Sequence, residues 1–232
     1  MLGDRRVSSG RRAASRVAIA GVMAAIACSG DEAGRQNTAA APENTAAARA
    51  ARAARGAQRC DAADASVVID SAGIGPVLLG TRIGALAARC TVTDTSVVLS
   101  EGVQERAHVV TVARRPVIAL SSGTPDTSII RVITSDAAFR TPGGVGAGSS
   151  VEALRLAHGP LCAARGEGTF VVTAGNLPGV SFAIDWNPPP SREPSVSETP
   201  FPGGDPGTAL DAARITRVWV HGVAGGCRVG VG

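Results

Sequence analysis

The sequence contains no lysine, and all 23 residues counted as lysine plus arginine are arginine. This absence excludes mechanisms that need a lysine amine, such as Schiff-base formation or phosphate binding by a P-loop lysine. Aromatic residues are also scarce, with four Phe, two Trp and no Tyr among 232 residues. Because so few large rings are present, we expect Trp186 and Trp219 to fill a core rather than to anchor an interface.

An apolar run long enough to cross a membrane is also absent. A spanning helix needs about 20 apolar residues, whereas the run at residues 17–27, VAIAGVMAAIA, has 11. Five arginines and one aspartate precede this run and account for the whole formal charge of +4. A basic segment followed by a short apolar run is typical of an export signal. We therefore expect residues 1–27 to be a signal peptide.

The residue after this run is Cys28, preceded by Ala25, Ile26 and Ala27. The segment resembles the lipobox of bacterial lipoproteins, in which small residues precede a cysteine that becomes acylated. The resemblance implies attachment of fatty acids such as palmitate at Cys28 and anchoring on the periplasmic or outer surface of a membrane. Ser29, where an Asp would signal inner-membrane retention, favours the outer membrane. Ala25 and Ala27 also fit ordinary signal cleavage, so free secretion stays open.

Residues 28–59 predict a flexible, lipid-anchored tether. Residues 29–59 have no aromatic and no large aliphatic side chain, so they cannot bury enough apolar surface to offset the entropy of ordering. Arg49, Arg52 and Arg55 recur every three residues. This spacing allows a transient basic helix against anionic head groups or peptidoglycan, but a solvated linker is the preferred interpretation.

Residues 60–232 are predicted to form a single domain made of two repeat units, at about 60–140 and 141–232. The segments 75–86 and 143–154 share the pattern G-x-V-x-x-G-[ST]-x-[IV]-x-A-L at a constant offset of 68. A repeat of this kind indicates one structural unit used twice.

Each copy of the pattern predicts a turn followed by a short helix of about ten residues. Gly80 and Gly148 permit the turn, and Thr81 and Ser149 are the predicted helix N-caps. In the second copy, Glu152 lies three residues after Ser149 and is predicted to complete a capping box.

Strand-like runs follow both helices, at 96–99, 108–113, 116–121 and 129–134 in the first unit and at 169–173, 180–186 and 215–220 in the second. The closing runs match, as IIRV and ITRV. Short turns between the runs favour antiparallel pairing. We predict an α+β fold: an antiparallel sheet with two short helices on one face, in a tandem helix-strand-strand-strand repeat. Residues 187–212 are dense in Pro, Gly and Ser and predict a mobile loop.

This combination of a Gly-[ST] turn, a short helix and a strand meander, in tandem and exported, resembles two families. They are the β-lactamase-inhibitor proteins and the small lipoprotein of the outer-membrane assembly machine. The chain is also similar to uncharacterised secreted proteins that carry Phe139-Arg140-Thr141, the glycine-rich 144–149 and a helix ending at Gly159. The resemblance covers most of residues 66–221 and implies the same kind of helix-covered antiparallel sheet.

Four cysteines lie in the predicted domain, Cys60, Cys90, Cys162 and Cys227, and exported cysteines tend to form disulfides. Pairing within each unit, as Cys60–Cys90 and Cys162–Cys227, respects the repeat and is preferred. Pairing of Cys60 with Cys227 stays open. Cys28 is then the odd cysteine, and acylation would remove an exposed reactive thiol.

No motif for catalysis or metal binding is apparent. His108, His158 and His221 lack metal-ligand spacing, and no G-x-S-x-G elbow accompanies a Ser-His-Asp set. The glycines at 143–148 precede a helix, where phosphate can bind, but the repeated turn at 75–80 favours a structural role. We expect no catalytic residue, no metal and no cofactor.

The leading interpretation is a non-catalytic cell-envelope lipoprotein that presents a binding or scaffold domain. Its expected partners are the membrane, through the lipid, and an envelope protein. From residue 28 onward, 18 arginines balance 18 acidic residues, so no basic surface for nucleic acid is indicated. Two alternatives are a secreted inhibitor of an extracytoplasmic enzyme and a hydrolase whose site has no sequence motif. A deep pocket that holds His with Ser or Asp would favour the hydrolase, whereas an exposed concave sheet bearing aromatics would favour the lipoprotein or the inhibitor.

Overall fold

The computed structural model describes residues 45–62, 64–98, 102–123, 128–166, 169–186 and 210–222. The helices in these ranges are α1 (Ala46–Ala57), α2 (Ile83–Ala87) and α3 (Val151–His158). The strands are β1 (Ile69–Asp70), β2 (Gly73–Ile74), β3 (Val77–Leu78), β4 (Thr91–Val98), β5 (Gln104–Val112), β6 (Arg115–Ser121), β7 (Ile129–Thr134), β8 (Leu161–Gly166), β9 (Thr169–Ala174), β10 (Val180–Ile184) and β11 (Ile215–Val220). No helix in the described ranges is both long enough and apolar enough to cross a bilayer.

The main structure is an eight-stranded sheet with the order β4-β5-β6-β7-β11-β10-β9-β8. All neighbouring strands in it pair antiparallel. The predicted α+β class, an antiparallel sheet with short helices, is therefore confirmed. A second, three-stranded sheet of β1, β2 and β3 precedes it in the chain and was not predicted.

The two halves of the large sheet have the same internal register. Each unit is a helix followed by a meander of four strands, and the last strands, β7 and β11, join the halves. Ile133 pairs with Trp219 at this junction, and these two residues occupy equivalent positions in the matching IIRV and ITRV strands. The local pseudo-twofold axis therefore passes between them.

Two details of the predicted repeat are wrong. Each unit has four strands after its helix rather than about three, because β8 was missed in the second unit. The helices are also shorter than ten residues, with five in α2 and eight in α3.

The turns before the two helices are built alike. The amide of Gly80 donates to the carbonyl of Ile129 at 2.8 Å, and the amide of Gly148 donates to that of Ile215 at 2.7 Å. Both glycines have a positive φ, 78° and 83°, which residues with a Cβ atom rarely adopt. Each turn therefore fastens a helix start to the closing strand of its own unit.

The predicted caps are displaced by one residue. Ser150, not Ser149, caps α3, and its hydroxyl accepts from the amide of Ala153 at 3.1 Å. Arg82, not Thr81, is the N-cap of α2, and it makes no side-chain cap hydrogen bond. The Ser149 hydroxyl instead accepts from Arg140 at 2.6 Å. The capping box between Ser149 and Glu152 is therefore wrong, because Ser149 ties the turn to the preceding segment.

Apolar side chains are buried on both faces of the large sheet. The main core contains Leu86 of α2, Leu154 of α3 and strand residues including Phe182. A smaller cluster on the opposite face contains Leu120, Ile133 and Trp219. Trp219 is 6% exposed, and Trp186 packs against the main core and meets Phe170 edge-on with ring centroids 4.8 Å apart. The prediction that the tryptophans fill the core is confirmed for Trp219, whereas Trp186 is only partly buried at the edge of the core.

Candidate functional site

Each of the three histidines hydrogen-bonds a hydroxyl through its Nε2 atom. The distances are 3.1 Å from His108 to Ser121 Oγ, 2.7 Å from His158 to Thr141 Oγ1 and 2.7 Å from His221 to Ser181 Oγ. No local sequence pattern marks these contacts, because the partners of the histidines lie 13 to 40 residues away in sequence.

His108 has a carboxylate on its other ring nitrogen. Its Nδ1 atom lies 2.8 Å from Asp94 Oδ1. A carboxylate accepts hydrogen bonds, so in the neutral imidazole the proton is on Nδ1 and Nε2 is the acceptor for the Ser121 hydroxyl. Asp94, His108 and Ser121 thus form a continuous chain of hydrogen bonds in the order carboxylate, imidazole, hydroxyl. This order is the one that lets an imidazole remove a proton from a serine.

Three neighbouring strands hold these side chains on one face of the sheet. Asp94 of β4 pairs directly with His108 of β5, which pairs with Ala119 of β6. Ser121 lies two residues after Ala119 and therefore points to the same face. The alternation of strand side chains accounts for the convergence, since 14 residues separate Asp94 from His108 across one hairpin.

The three groups differ in exposure. His108 is 5% exposed, whereas the Asp94 side chain is 72% exposed and Ser121 is half-buried. Ser121 also follows a register shift between β6 and β7, located between Leu120 and Ser121. The extra residue of this shift lies on β7, so Ser121 keeps the alternation of β6, and shifts of this kind are frequent beside active sites. Ser121 is thus partly accessible, while the imidazole of His108 is shielded from water.

The second unit shows what the fold places at these positions when no polar group is required. In its register Ala163 pairs with Val172, which pairs with Phe182, just as Asp94, His108 and Ala119 pair in the first unit. A register shift recurs before Ile184, the counterpart of Ser121. The counterparts of the polar set are all apolar: Ala163, Val172 and Ile184. The fold therefore does not need an Asp-His-Ser set there.

The pair formed by Thr141 and His158 is more deeply buried and has a structural role. The Thr141 hydroxyl accepts from the amide of Val145 at 3.2 Å and shares a 2.7 Å hydrogen bond with His158 Nε2. Burial lowers the pKa of His158, and a hydrogen bond with the Asn176 side chain partly opposes this. The neutral imidazole therefore fastens the end of α3 to the loop before it.

The glycine-rich segment 143–148 does not offer a free phosphate cradle. The amide of Gly144 donates to the Thr141 carbonyl, that of Gly146 to Ser149 Oγ and that of Gly148 to the Ile215 carbonyl. Amides that are already used within the fold cannot also bind an anion. In the described part of the chain, no group of three or more His, Cys, Asp or Glu side chains is placed to hold a metal ion.

Helix α1 lies inside the predicted tether. Arg55 is 9% exposed and donates to both carboxylate oxygens of Asp70, at 2.6 and 2.7 Å. A Cβ at Gly56 would lie 2.9 Å from Leu78 Cδ1, so glycine permits the close approach of the helix. The prediction of a flexible tether up to residue 59 is therefore wrong for residues 46–57. Arg49 and Arg52 stay on the exposed side of the helix.

The end of the predicted loop also packs. Leu210 is 1% exposed, and Asp211 forms an ion pair with Arg155 of α3 at 2.8 Å. These residues lie beside an open cleft of about 580 Å³ lined by Ser150, Glu152, Asp211, Ala212 and Arg214. The rest of the loop, 187–209, lies outside the described residues.

The cysteine predictions are met in part. Cys60 and Cys90 form a disulfide with a Cα–Cα distance of 4.9 Å, as predicted. Cys162, on β8, is disulfide-bonded as well, and its predicted partner Cys227 lies outside the described residues. The bond between Cys162 and Cys227 therefore stays a prediction. Cys28 also lies outside the described residues.

No known protein family matches this sequence, and it has no significant match among curated proteins. The structure is similar to the crystal structure of the uncharacterized protein yfeY from Escherichia coli, with a TM-score of 0.43 and 15% sequence identity. The similarity covers 66% of this chain and 99% of that chain. At this level, it carries no argument about function.

Proposed function

We propose that the chain is an exported lipoprotein, anchored through an acylated Cys28, that presents one α+β domain for binding or scaffolding in the cell envelope. The observation that carries this proposal is the disulfide between Cys60 and Cys90, because such bonds persist in oxidising compartments outside the cytoplasm. The order of basic segment, short apolar run and Cys28 supports export independently.

The position of α1 bears on how the domain would be presented. Its first turn begins at Ala46, so 17 residues, 28–44, precede Thr45 in the anchored form. A chain of that length reaches at most about 60 Å when fully extended. The domain would then work close to the membrane, with Arg49 and Arg52 on the helix nearest the anchor. Anionic head groups have the charge that such arginines attract.

The anchoring is tested by expressing the full chain in a Gram-negative host and measuring the intact mass of the membrane fraction. We expect a mass above that of residues 28–232 by several acyl groups. Cys28→Ala should move the protein to the soluble fraction, whereas the neighbouring Ser29→Ala should leave it in the membrane. An unmodified Cys28 terminus in soluble wild-type protein would contradict acylation.

The binding role needs a second experiment, because an anchor alone does not imply a partner. Chemical crosslinking in intact cells is expected to join the anchored chain to one envelope protein, identified by mass spectrometry. The Cys28→Ala chain, which keeps the domain but loses the anchor, is the control. A wild-type chain recovered only as an uncrosslinked monomer would count against a protein partner.

A further inference from the structure

We propose that Ser121 is a nucleophile for acyl transfer, with His108 as its general base and Asp94 as the residue that positions the imidazole. The inference goes beyond the proposed envelope role and does not depend on it. It starts from geometry: 2.8 Å from Asp94 Oδ1 to His108 Nδ1, and 3.1 Å from His108 Nε2 to Ser121 Oγ. Both distances are within reach of proton transfer between nucleophile and base.

The comparison between the two units argues that this set is more than a way to satisfy a buried histidine. The fold fills the corresponding positions of the second unit with Ala163, Val172 and Ile184. Val172 is fully buried and belongs to the main core. At the equivalent position the first unit has the imidazole of His108. The fold there loses apolar packing and must instead pair every buried polar atom with a hydrogen-bond partner. Departures of this kind from the pattern of a fold concentrate at functional sites.

The accessibility of the three groups fits their assigned roles. A nucleophile must meet its substrate, and Ser121 is half-buried beside a register shift. A general base needs one ring nitrogen free to take the proton. Asp94 holds Nδ1 of His108, which leaves Nε2 facing Ser121, and the ring itself is shielded from water. Asp94 does not need to touch the substrate and acts through His108, so it is a positioning residue. The sequence missed this site because no local motif surrounds Ser121.

The reaction requires no additional oxidant, metal or cofactor. Ser121 Oγ attacks the carbonyl carbon of a carboxylic ester while its proton passes to His108 Nε2. The C–O bond to the alcohol breaks, and that alcohol leaves with the proton from His108. Water then attacks the acyl-serine, giving one proton to His108 and releasing a carboxylic acid as Ser121 Oγ is reprotonated. Small esters are the substrate class, because they reach a half-buried hydroxyl most easily.

Two probes test the proposal on the mature chain with its disulfides intact. p-Nitrophenyl acetate should give a burst of p-nitrophenolate, and an alkyl fluorophosphonate should leave an adduct at Ser121 with loss of fluoride. Peptide mass spectrometry locates the adduct. We expect His108→Gln to slow labelling by on the order of 100-fold or more, and Asp94→Asn to slow it by about tenfold or more. Ser121→Ala should abolish it.

Two further variants separate reactivity from folding. Ser181→Ala removes the hydroxyl that is bound to His221, and labelling at Ser121 should persist. The triple variant Asp94→Ala, His108→Val and Ser121→Ile copies the second unit, so it should fold and yet lose all labelling. An absence of adduct at Ser121 in folded wild-type protein would overturn the proposal. Labelling at Ser121 that is unaffected by His108→Gln would overturn it too.

Discussion

Arg55 and Asp70 form a two-point ion pair that fixes α1 to the three-stranded sheet. The terminal nitrogens of Arg55 lie 2.6 and 2.7 Å from the two carboxylate oxygens. Asp70 Oδ1 also accepts from the amide of Ala72 at 2.9 Å. One carboxylate therefore joins the helix to the turn between β1 and β2, and α1 is an integral part of the domain.

We expect Arg55→Ala to lower the free energy of unfolding by about 1–3 kcal/mol, because it leaves Asp70 partly buried without its cation. Urea denaturation of the chain from residue 28 onward measures this loss. Arg52→Ala is the matched control on the same helix, since Arg52 is exposed and lies 3.5 Å from the Leu79 carbonyl, and should change stability by less than about 0.5 kcal/mol. A chain that starts at Gln58 should lose at least as much as Arg55→Ala. Equal effects of the two arginine variants would contradict a docked α1.

Loss of the Cys60–Cys90 bond should lower the free energy of unfolding by about 2–4 kcal/mol. The bond closes a loop between cysteines 30 positions apart and so restricts the unfolded chain. The double variant Cys60→Ser, Cys90→Ser, compared with wild type in urea without reductant, isolates this bond from that of Cys162. The same urea midpoint in both proteins would show that the bond contributes nothing.

The buried His158 predicts a pH dependence of stability. Because burial holds its pKa below the usual value of 6.5, the unfolded chain takes up this proton before the folded chain as the pH falls. The free energy of unfolding should therefore be highest above about pH 6.5 and decrease below it. His158→Gln removes this contribution. Urea midpoints between pH 5 and 8 should fall less steeply in the variant, and parallel profiles would argue against the prediction.

Gly146 and Gly148 should respond differently to replacement by alanine. A Cβ at Gly146 would overlap the carbonyl oxygen of Phe139, so Gly146→Ala should cost about 2–3 kcal/mol or more. A Cβ at Gly148 meets no atom within 4 Å. Only the φ of 83° opposes Gly148→Ala, which should therefore lower the free energy of unfolding by about 1–2 kcal/mol. Gly80→Ala, in the equivalent open turn, should match Gly148→Ala. Thermal unfolding ranks the three, and Gly148→Ala as the most damaging change would refute this account.

The sequence predicts the sheet well because its signals are local. Strands β7 and β11 have the predicted bounds, and the repeated Gly-[ST] turns locate the two units. Strand β8 was missed because LCAARG contains no β-branched residue and begins only three residues after the end of α3. Helix α1 was missed for another reason. Its alanines and arginines lack a large apolar stripe, and its position depends on one ion pair with Asp70 and on the close approach at Gly56.

The candidate site was not predictable from the sequence, although its three residue types were known. Asp94, His108 and Ser121 meet only through the register of three strands. A shift of one residue in β4 would point Asp94 to the opposite face. The predicted strand at 96–99 begins two residues after Asp94 and so leaves it out, whereas β4 begins at Thr91 and contains it. Strand bounds that are accurate to one residue are the information that the pattern lacked.

The junction of β7 with β11 has a consequence for how such a domain can arise. A single unit would end in an unpaired edge strand, and a second identical unit would cover that edge by the same twofold contact. The chain is therefore organised like a symmetric dimer whose subunits were fused into one polypeptide. Once fused, the halves need not remain alike. One half can keep Val172 and its neighbours for packing, while the other exchanges them for an acid, a base and a hydroxyl.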